Sequence, residues 1–519
     1  MMLVRDILRR NASIYSKKIG LVDGKKRFSY GEINSRVNRL SNALRDLGFD
    51  RGDKIAIMAE NCHQFVETYF AIAKAGLVIV PVNARFSAEE ASYIINHSDS
   101  AVLIVQEHLK SVIGDLKESM PKVKYIISIG KADQGVQAYE DLLANSTDKE
   151  PDVVIHPDDV MMIMYTSGAT GVPKGVLTSH RNIMANTNTM TLELRIVPEE
   201  INLLVMPLYH IGGFWPTLTH FYRGATTILL PRFDAESVMK LVEKERITFL
   251  NLVPTMLMRI VSHPDISKYN LESLRLIMYA GAPIALKQLK SAMEILGSHR
   301  FYTGLGCTEA SGSMISFPTT EHALVGPLSE KLGSVGRDSI GVEIKIVDES
   351  ENELSTGKVG EIIAKGDNIA KGYWKMPEET SETFREGWLY TGDMGYRDED
   401  GYIFVVDRKK DIIISGGENV SSYEVEQVLY QHPSVGEAAV IGVLDDEWGE
   451  AVKAVISLKP EYKAKVTEKE IIDFCKSRLA RFKRPKSVNF LDELPKNAAG
   501  KIAKQELKKR YKGQHGQFQ

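Results

Sequence analysis

Between Thr166 and Gly175 the chain reads Thr-Ser-Gly-Ala-Thr-Gly-Val-Pro-Lys-Gly, directly after the apolar run VMMIMY. Glycines at 168 and 171 let the backbone curl so that N–H groups point at an anion. The hydroxyls of Thr166, Ser167 and Thr170 add donors, and Lys174 adds charge, so the composition is that of a phosphate cradle. It is not the common P-loop, which needs Gly before the lysine and Ser or Thr after it, whereas Lys174 stands between Pro173 and Gly175. A different nucleotide chemistry follows. The competing reading is a flexible surface loop, against which stand ten consecutive residues of this kind abutting a buried strand.

The elements that must hold this loop are legible around it. From residue 54 onward short β-branched runs alternate with helical patterns: KIAIMAE then NCHQFVETYFAIAKAG, LVIVPVN then SAEEASYIINHSDS, and later NLLVMP, TTILLP, TFLNLVP and LRLIMYAG. This alternation predicts an α/β protein of mostly parallel sheets covered by helices on both faces, with ligands beyond the C-terminal strand ends. After residue 340 the texture changes to VEIKIVD, GEIIAKG and YIFVVDR with a turn signal at Asp400-Gly401, which predicts a smaller subdomain of β-hairpins. Beyond Asp407 a helix from Ser422, strands at EAAVIGV and EAVKAVISL, and a helix from Thr467 form a further pattern. The expected division is 1–406, a boundary segment 407–411, and 412–519.

Bulk properties narrow the function. The 519 residues, 43% hydrophobic and 26% charged, exclude a fibre or a disordered tail. Lys and Arg number 65 against 68 Asp and Glu, so the net charge of −3 argues against bulk binding of nucleic acid or an anionic membrane. A local excess exists: thirteen Lys or Arg against three acids between Lys476 and Lys512. Cys62, Cys307 and Cys475 lie far apart without CxxC spacing, so neither a disulfide framework nor a cysteine zinc site is indicated. The first turns carry Arg5, Asp6, Arg9 and Arg10 and lack the apolar core of a signal peptide, so a reducing cytoplasm is expected. The longest stretch free of Lys, Arg, Asp and Glu, Ile201 to Tyr222, contains Pro207, Pro216 and Gly212-Gly213, which argues against a membrane span.

YTSGATGVPKGV resembles the signature of the adenylate-forming superfamily, which includes acyl-CoA synthetases, luciferases and peptide-synthetase adenylation domains. MPLYHIGG, YAGAPI, GLGCTE, WLYTGDMG, DRKKDIIISGGENV and PKNAAGKI follow in the superfamily's order, so the resemblance spans nearly the whole chain. It implies layered αβαβα sheets with a small β subdomain, followed by a small mobile α+β C-terminal domain. It also implies two steps: a carboxylate attacks the α-phosphate of ATP and expels pyrophosphate, then a thiol attacks the acyl-adenylate. On this resemblance Lys174, Thr166, Ser167, Gly168, Thr170 and Gly171 would hold the departing pyrophosphate. Thr308 would touch the α-phosphate and Glu309 would hold Mg²⁺, a hard cation suited to a carboxylate and phosphates. A Glu favoured by a helix dipole is the plainer alternative. Gly281, Ala282, Pro283, Gly304, Gly306 and Cys307 would surround the nucleotide. The superfamily usually places Tyr before that second glycine, and here Leu305 stands there, so adenine would rest on an aliphatic side chain. Asp393 would accept from the ribose hydroxyls with Arg408 as its basic partner, and Lys501 would reach in to neutralise charge during adenylation.

The same resemblance assigns the second step. Lys410 would be the hinge about which the C-terminal domain turns. Gly416, Gly417 and Glu418 would line a pantetheine tunnel, and Trp448, Phe482, Arg484 and Lys486 would contact CoA, which gives the basic excess a purpose; a solvated basic helix competes. The acyl pocket would be drawn from Tyr209, His210, Phe214, Trp215, Asn251, Val253, Gly281, Gly304 and Met314. No Asp lies between 207 and 216 to hold an α-ammonium, so an apolar acid is expected. His210 would either gate the carboxylate or pack against the acid. An inward Trp215 would shorten the tunnel and favour aromatic, alicyclic or medium-chain acids. The expected partners are therefore a small carboxylic acid, ATP and CoA, with no nucleic acid and no integral membrane segment; a homodimer stays open. The competing functions are loading of a separate carrier protein, and nucleotide or acyl binding on a scaffold that has lost catalysis.

Overall fold

The computed structural model describes residues 2–110, 119–166, 172–445, 448–463, 465–496 and 501–511. The apolar run KIAIM forms the strand Lys54–Met58, which pairs in parallel with Val78–Val82 on one side and Ser100–Gln106 on the other. Between the first two runs the helix His63–Ala75 is buried at every residue and stops at Gly76, whose φ of +73° a glycine adopts without a Cβ penalty. Val160–Thr166 and Lys174–Ser179 complete the other side of this seven-stranded sheet. A nine-stranded sheet carries Ile201–Leu204, Phe249–Leu252, Leu276–Tyr279 and Phe301–Cys307 as parallel neighbours.

The helix Ile211–Arg223 is wedged between two apolar clusters. Phe214, Leu218 and Phe221, spaced to share one helical face, enter the core shared with Tyr69 and Phe65. Trp215 points to another cluster, made by Met190, Leu194, Ile196, Phe249, Leu276, Met278 and Tyr302. The helix can sit this low because Gly213 has no Cβ: one would stand 2.1 Å from the Pro207 carbonyl oxygen.

Two site-bearing connections depart from the parallel pattern expected of the chain. Val160–Thr166 pairs antiparallel with Lys174–Ser179, placing Thr166 opposite Lys174, and Phe301–Cys307 pairs antiparallel with Gly312–Phe317. Residues 167–173 and 308–311 are too few for the crossover that a parallel pair requires. Lys174 consequently opens a strand instead of sitting within a loop.

The hairpins after residue 340 form a five-stranded antiparallel sheet of Val342–Val347, Gly360–Gly366, Phe384–Arg385, Trp388–Arg397 and Ile403–Arg408. The small C-terminal domain has its own five-stranded sheet: Val435–Asp445 lies antiparallel to Gly449–Leu458, and Ser487–Phe490 runs parallel to the latter. Its helices begin where the hydroxyls predict. Ser421 caps Ser422–Leu429, and Thr467 caps Glu468–Lys476. No described helix is long and apolar enough to cross a membrane.

Candidate active site

Each edge of the site is set by a close backbone approach. A Cβ at Gly304 would stand 2.2 Å from the Ile315 carbonyl oxygen, and one at Gly306 would stand 2.1 Å from that of Gly312. These glycines let Phe301–Cys307 lie tight against Gly312–Phe317, and the strand then delivers Thr308 and Glu309 into the turn Thr308–Ala310. Thr308 is buried, while Glu309 is partly exposed. Asp393 and Arg408 stand directly opposite each other on paired strands of the β subdomain, with Arg408 Nε 2.7 Å from Asp393 Oδ1.

Lys501 completes the group from the C-terminal domain. Its Cε lies 3.5 Å from where a Cβ on Gly281 would be, and Val253 Cγ1 is 3.7 Å from the same point, so the lysine lies in van der Waals reach of position 281. Gly281 has a φ of +87°, which favours glycine. Burial lowers the Lys501 pKa below its usual 10.5 and Arg408 adds to that, while Asp393, Cys307 and Glu309 oppose the shift. The converse holds at Asp393: burial raises its pKa, and Arg408 and Lys501 pull it back. Two cations and two carboxylates from four segments therefore share one electrostatic environment, around a buried Asp393. Such clustering of mutually perturbing charges marks functional sites.

Of the other positions expected to surround the nucleotide, Ala282 and Pro283 follow Gly281 after the strand Leu276–Tyr279, and Leu305 packs on the cluster of Ala310 and Ile315. Ser167, Gly168, Thr170 and Gly171 lie outside the described residues; Thr166 and Lys174 frame them as a facing pair.

The acyl-pocket set separates. Asn251 donates from Nδ2 to the Gly212 carbonyl at 2.8 Å, tying its strand to the helix start, and His210 immediately precedes that helix. His210 stacks edge-on with Tyr209, ring centres 4.9 Å apart. Trp215 faces the block of Met278 and Tyr302, on which Ala280 and Ile211 pack half-buried. Phe214 turns to Tyr69, ring centres 4.5 Å apart, and Met314 enters the cluster of Ile344, Ile346 and Ile362. Both were expected to line the pocket; helix phase and strand alternation place them in these clusters, Phe214 in the one that also holds Tyr209.

The residues expected to meet CoA divide likewise. Gly416 and Gly417, with φ of +62° and +82°, are the two turn residues between Ile413–Ser415 and Glu418–Val420. Positive φ at both is a type I′ hairpin, so the fold itself favours glycine there, with asparagine the tolerated alternative, apart from any tunnel. Trp448 packs on Gly416, and Lys486 Nζ stands 4.4 Å from the centre of the Trp448 ring. Phe482 packs on the C-terminal core, and Arg484 donates to the Leu479 carbonyl at 2.9 Å. Lys410 lies in the turn Lys409–Asp411 that leads into the small domain.

Tyr373 and Gln427, which no motif singles out, also serve this region. The Tyr373 hydroxyl donates to Glu309 Oε1 at 3.0 Å. Gln427 Oε1 accepts from the Leu286 N–H at 3.3 Å across the domain boundary. Both partnerships join residues distant in sequence, so spacing carried no signal.

The sequence model described as AMP-binding enzyme matches residues 8–374, and that of the AMP-binding enzyme C-terminal domain matches residues 424–501. The chain belongs to the AMP-binding enzyme family. Among relatives of this AMP-binding enzyme, a feruloyl-CoA synthase of an Amycolatopsis species is 36% identical over 488 residues, covering 93% of this chain and 94% of the relative. A long-chain-fatty-acid–CoA ligase of Bacillus subtilis is 33% identical over 534 residues, covering 97% and 94%. The crystal structure of the anthranilate CoA ligase AuaEII with anthranoyl-AMP superposes with a TM-score of 0.90 at 28% identity, covering 98% of this chain and 97% of that one. The motif order and the fold thus agree on an enzyme of the adenylate-forming ligases.

Proposed function

We propose that this enzyme activates a compact apolar carboxylic acid, aromatic, alicyclic or medium-chain, to its acyl-adenylate and then transfers the acyl group to CoA. The observation that carries the first step is Lys501 held against Gly281 beside Asp393, Arg408 and Glu309. Its ammonium neutralises charge developing between the carboxylate and the α-phosphate, while Lys174 draws off pyrophosphate. Asp393, oriented by Arg408, accepts from the ribose hydroxyls. Among the described residues no three acidic, His or Cys side chains gather to cage a metal. One carboxylate, Glu309, together with substrate phosphates, fits Mg²⁺, which seeks few protein ligands and many phosphate oxygens. When bound, Mg²⁺ neutralises the triphosphate and polarises the α-phosphate.

The preference for a compact acid is supported by Trp215 and its neighbours. From Lys501 and Gly281 the pocket would pass Ala280 and meet Trp215, Met278 and Tyr302, each 5% exposed or less. The CoA step is supported by the stacked Trp448–Lys486 pair beside the Gly416-Gly417 turn, and by relatives that are themselves CoA ligases. We take residues 407–411, with Lys410 as the pivot, as the hinge between the steps. Three free cysteines support a reducing cytoplasm. Loading of a carrier protein is less favoured, because it leaves the Trp448–Lys486 platform without a purpose.

The test is acid-dependent pyrophosphate exchange into ATP across benzoates, alicyclic acids and fatty acids of rising length, with AMP release followed with and without CoA. Exchange with CoA-dependent AMP turnover is expected, strongest for the compact acids. Exchange without CoA-dependent turnover would give the site to a carrier-loading ligase, and a best rate with very long chains would sink the substrate class.

A further inference from the structure

Tyr373 lies outside the motifs that mark the site, yet it touches two of the site's charged groups. Besides its bond to Glu309, its ring lies under Lys174, whose Nζ is 5.0 Å from the ring centre. The residue is 8% exposed and packs edge-on to Phe384, ring centres 5.5 Å apart. A tyrosine hydroxyl carries its proton at neutral pH and donates it to the carboxylate.

The backbone that carries it is tied down on three sides. Residues 371–374 run antiparallel beside the strand that Lys174 opens: Lys371 N–H donates to the Leu177 carbonyl at 2.9 Å, Leu177 N–H to Gly372 at 2.9 Å, and Trp374 N–H to Gly175 at 2.8 Å. Thr380 Oγ1 accepts from Tyr373 N–H at 2.9 Å, and the Trp374 indole donates to the His97 carbonyl at 2.9 Å. Ala370 N–H donates to the Glu309 carbonyl at 2.8 Å, so the same segment holds Glu309 by its main chain as well. Gly372, at φ +134°, allows the turn, since a Cβ there would strike Thr380 Cγ2 at 2.5 Å.

We infer that Tyr373 is a positioning residue for adenylation: its hydroxyl fixes one carboxylate oxygen of Glu309 and leaves the other for Mg²⁺, while its ring sets the Lys174 ammonium. The inference rests on the adenylation reading of the site. A glutamate has several freely turning bonds, whereas Mg²⁺ demands near-octahedral geometry, so a partner that locks the carboxylate sharpens metal binding. One ring thus couples the metal ligand to the phosphate lysine across chain segments far apart in sequence.

Tyr373→Phe removes only the hydroxyl, and Tyr373→Leu removes the ring as well. Mn²⁺ serves as the probe for the metal, its binding to enzyme with ATP and no acid read by electron paramagnetic resonance. Outer-shell partners typically contribute about 10- to 100-fold to metal affinity. Tyr373→Phe is expected to lose about tenfold or more in Mn²⁺ affinity. The Mg²⁺ needed to half-saturate pyrophosphate exchange rises in step, while metal-free ATP binding and CoA-dependent turnover of supplied acyl-adenylate hold at wild-type values. Tyr373→Leu additionally weakens metal-free ATP binding, because Lys174 loses its platform. Wild-type Mn²⁺ affinity in Tyr373→Phe overturns the inference, as does a uniform fall in every constant together with melting temperature. Absence of acid-dependent exchange in the wild-type enzyme would instead sink the adenylation reading itself.

Discussion

On the proposed reading Lys501 carries the first half-reaction by charge, and its surroundings make that charge conditional. Removing one preorganised contact to a developing oxyanion typically costs about 100- to 1,000-fold in rate. Lys501→Ala is therefore expected to lose pyrophosphate exchange by that order while thioester formation from supplied acyl-adenylate stays near wild type; equal losses would remove the lysine from the adenylation step. The pH dependence has a fixed sign. Burial, then Arg408, lower the Lys501 pKa below 10.5, and only the ammonium form is useful, so adenylation falls as pH rises through that lowered pKa. The second half-reaction should lack this alkaline limb when both are followed from neutral pH to about 10. Trp215 poses the other question at this scale. Trp215→Ala is expected to raise the ratio of decanoate to benzoate exchange, at a stability cost of about 3–5 kcal/mol for the cavity left behind. An unchanged ratio would move the pocket floor elsewhere. Residues whose chemistry fixes their type, such as Lys174, Asp393 and Lys501, were legible in the sequence. Phe214 and Met314 were not, because which of several clusters an apolar side chain enters depends on helix phase and sheet pairing.

At the scale of elements, the hairpin Ile413–Ser415 and Glu418–Val420 separates what the fold needs from what the reaction needs. A Cβ on Gly416 would meet the Trp448 ring at 2.7 Å, so Gly416→Ala strains the turn and displaces the platform together. Gly417 has nothing within 4 Å of its would-be Cβ, and its positive φ is one that asparagine tolerates. Gly417→Asn is accordingly expected to keep melting temperature and pyrophosphate exchange while raising the KM for CoA, provided this turn lines the pantetheine path. A wild-type KM would leave the glycine pair with its structural purpose alone. The αβ alternation, the β subdomain and the C-terminal strands were all readable as hydrophobic period and turn signals. The antiparallel return through Lys174 escaped because strand direction follows from connection length, which a run of glycines and hydroxyls disguises as a loop.

At the scale of the whole molecule, the observed arrangement fits the proposed first step. Lys501 fills the space beside Gly281, whereas Gly416, Trp448 and Lys486 form a separate cluster on the small domain. The bonds that hold the small domain in place are polar: Gln427 with Leu286 and Ile284, Ser421 Oγ donating to the Val406 carbonyl, and Ser422 N–H and Oγ donating to Asp407. Lys508 adds an ion pair with Asp411 at 2.9 Å, next to Lys410. Polar interfaces of this kind permit domains to move against each other, and on the proposed reading the second step would require it, since a thiol would have to reach the carbonyl beside Lys501. Cysteines replacing Leu286 and Gln427, joined by a short bismaleimide in a Cys307→Ala background, would hold the domains as observed; Cys62 and Cys475 are buried and spared. The joined enzyme is expected to retain acid-dependent pyrophosphate exchange and to lose CoA-dependent AMP turnover, relative to the same protein capped with a monofunctional maleimide. Full CoA turnover in the joined enzyme would show that both half-reactions run without rotation about Lys410, and loss of exchange as well would mean that the docked arrangement is not the one that makes the adenylate.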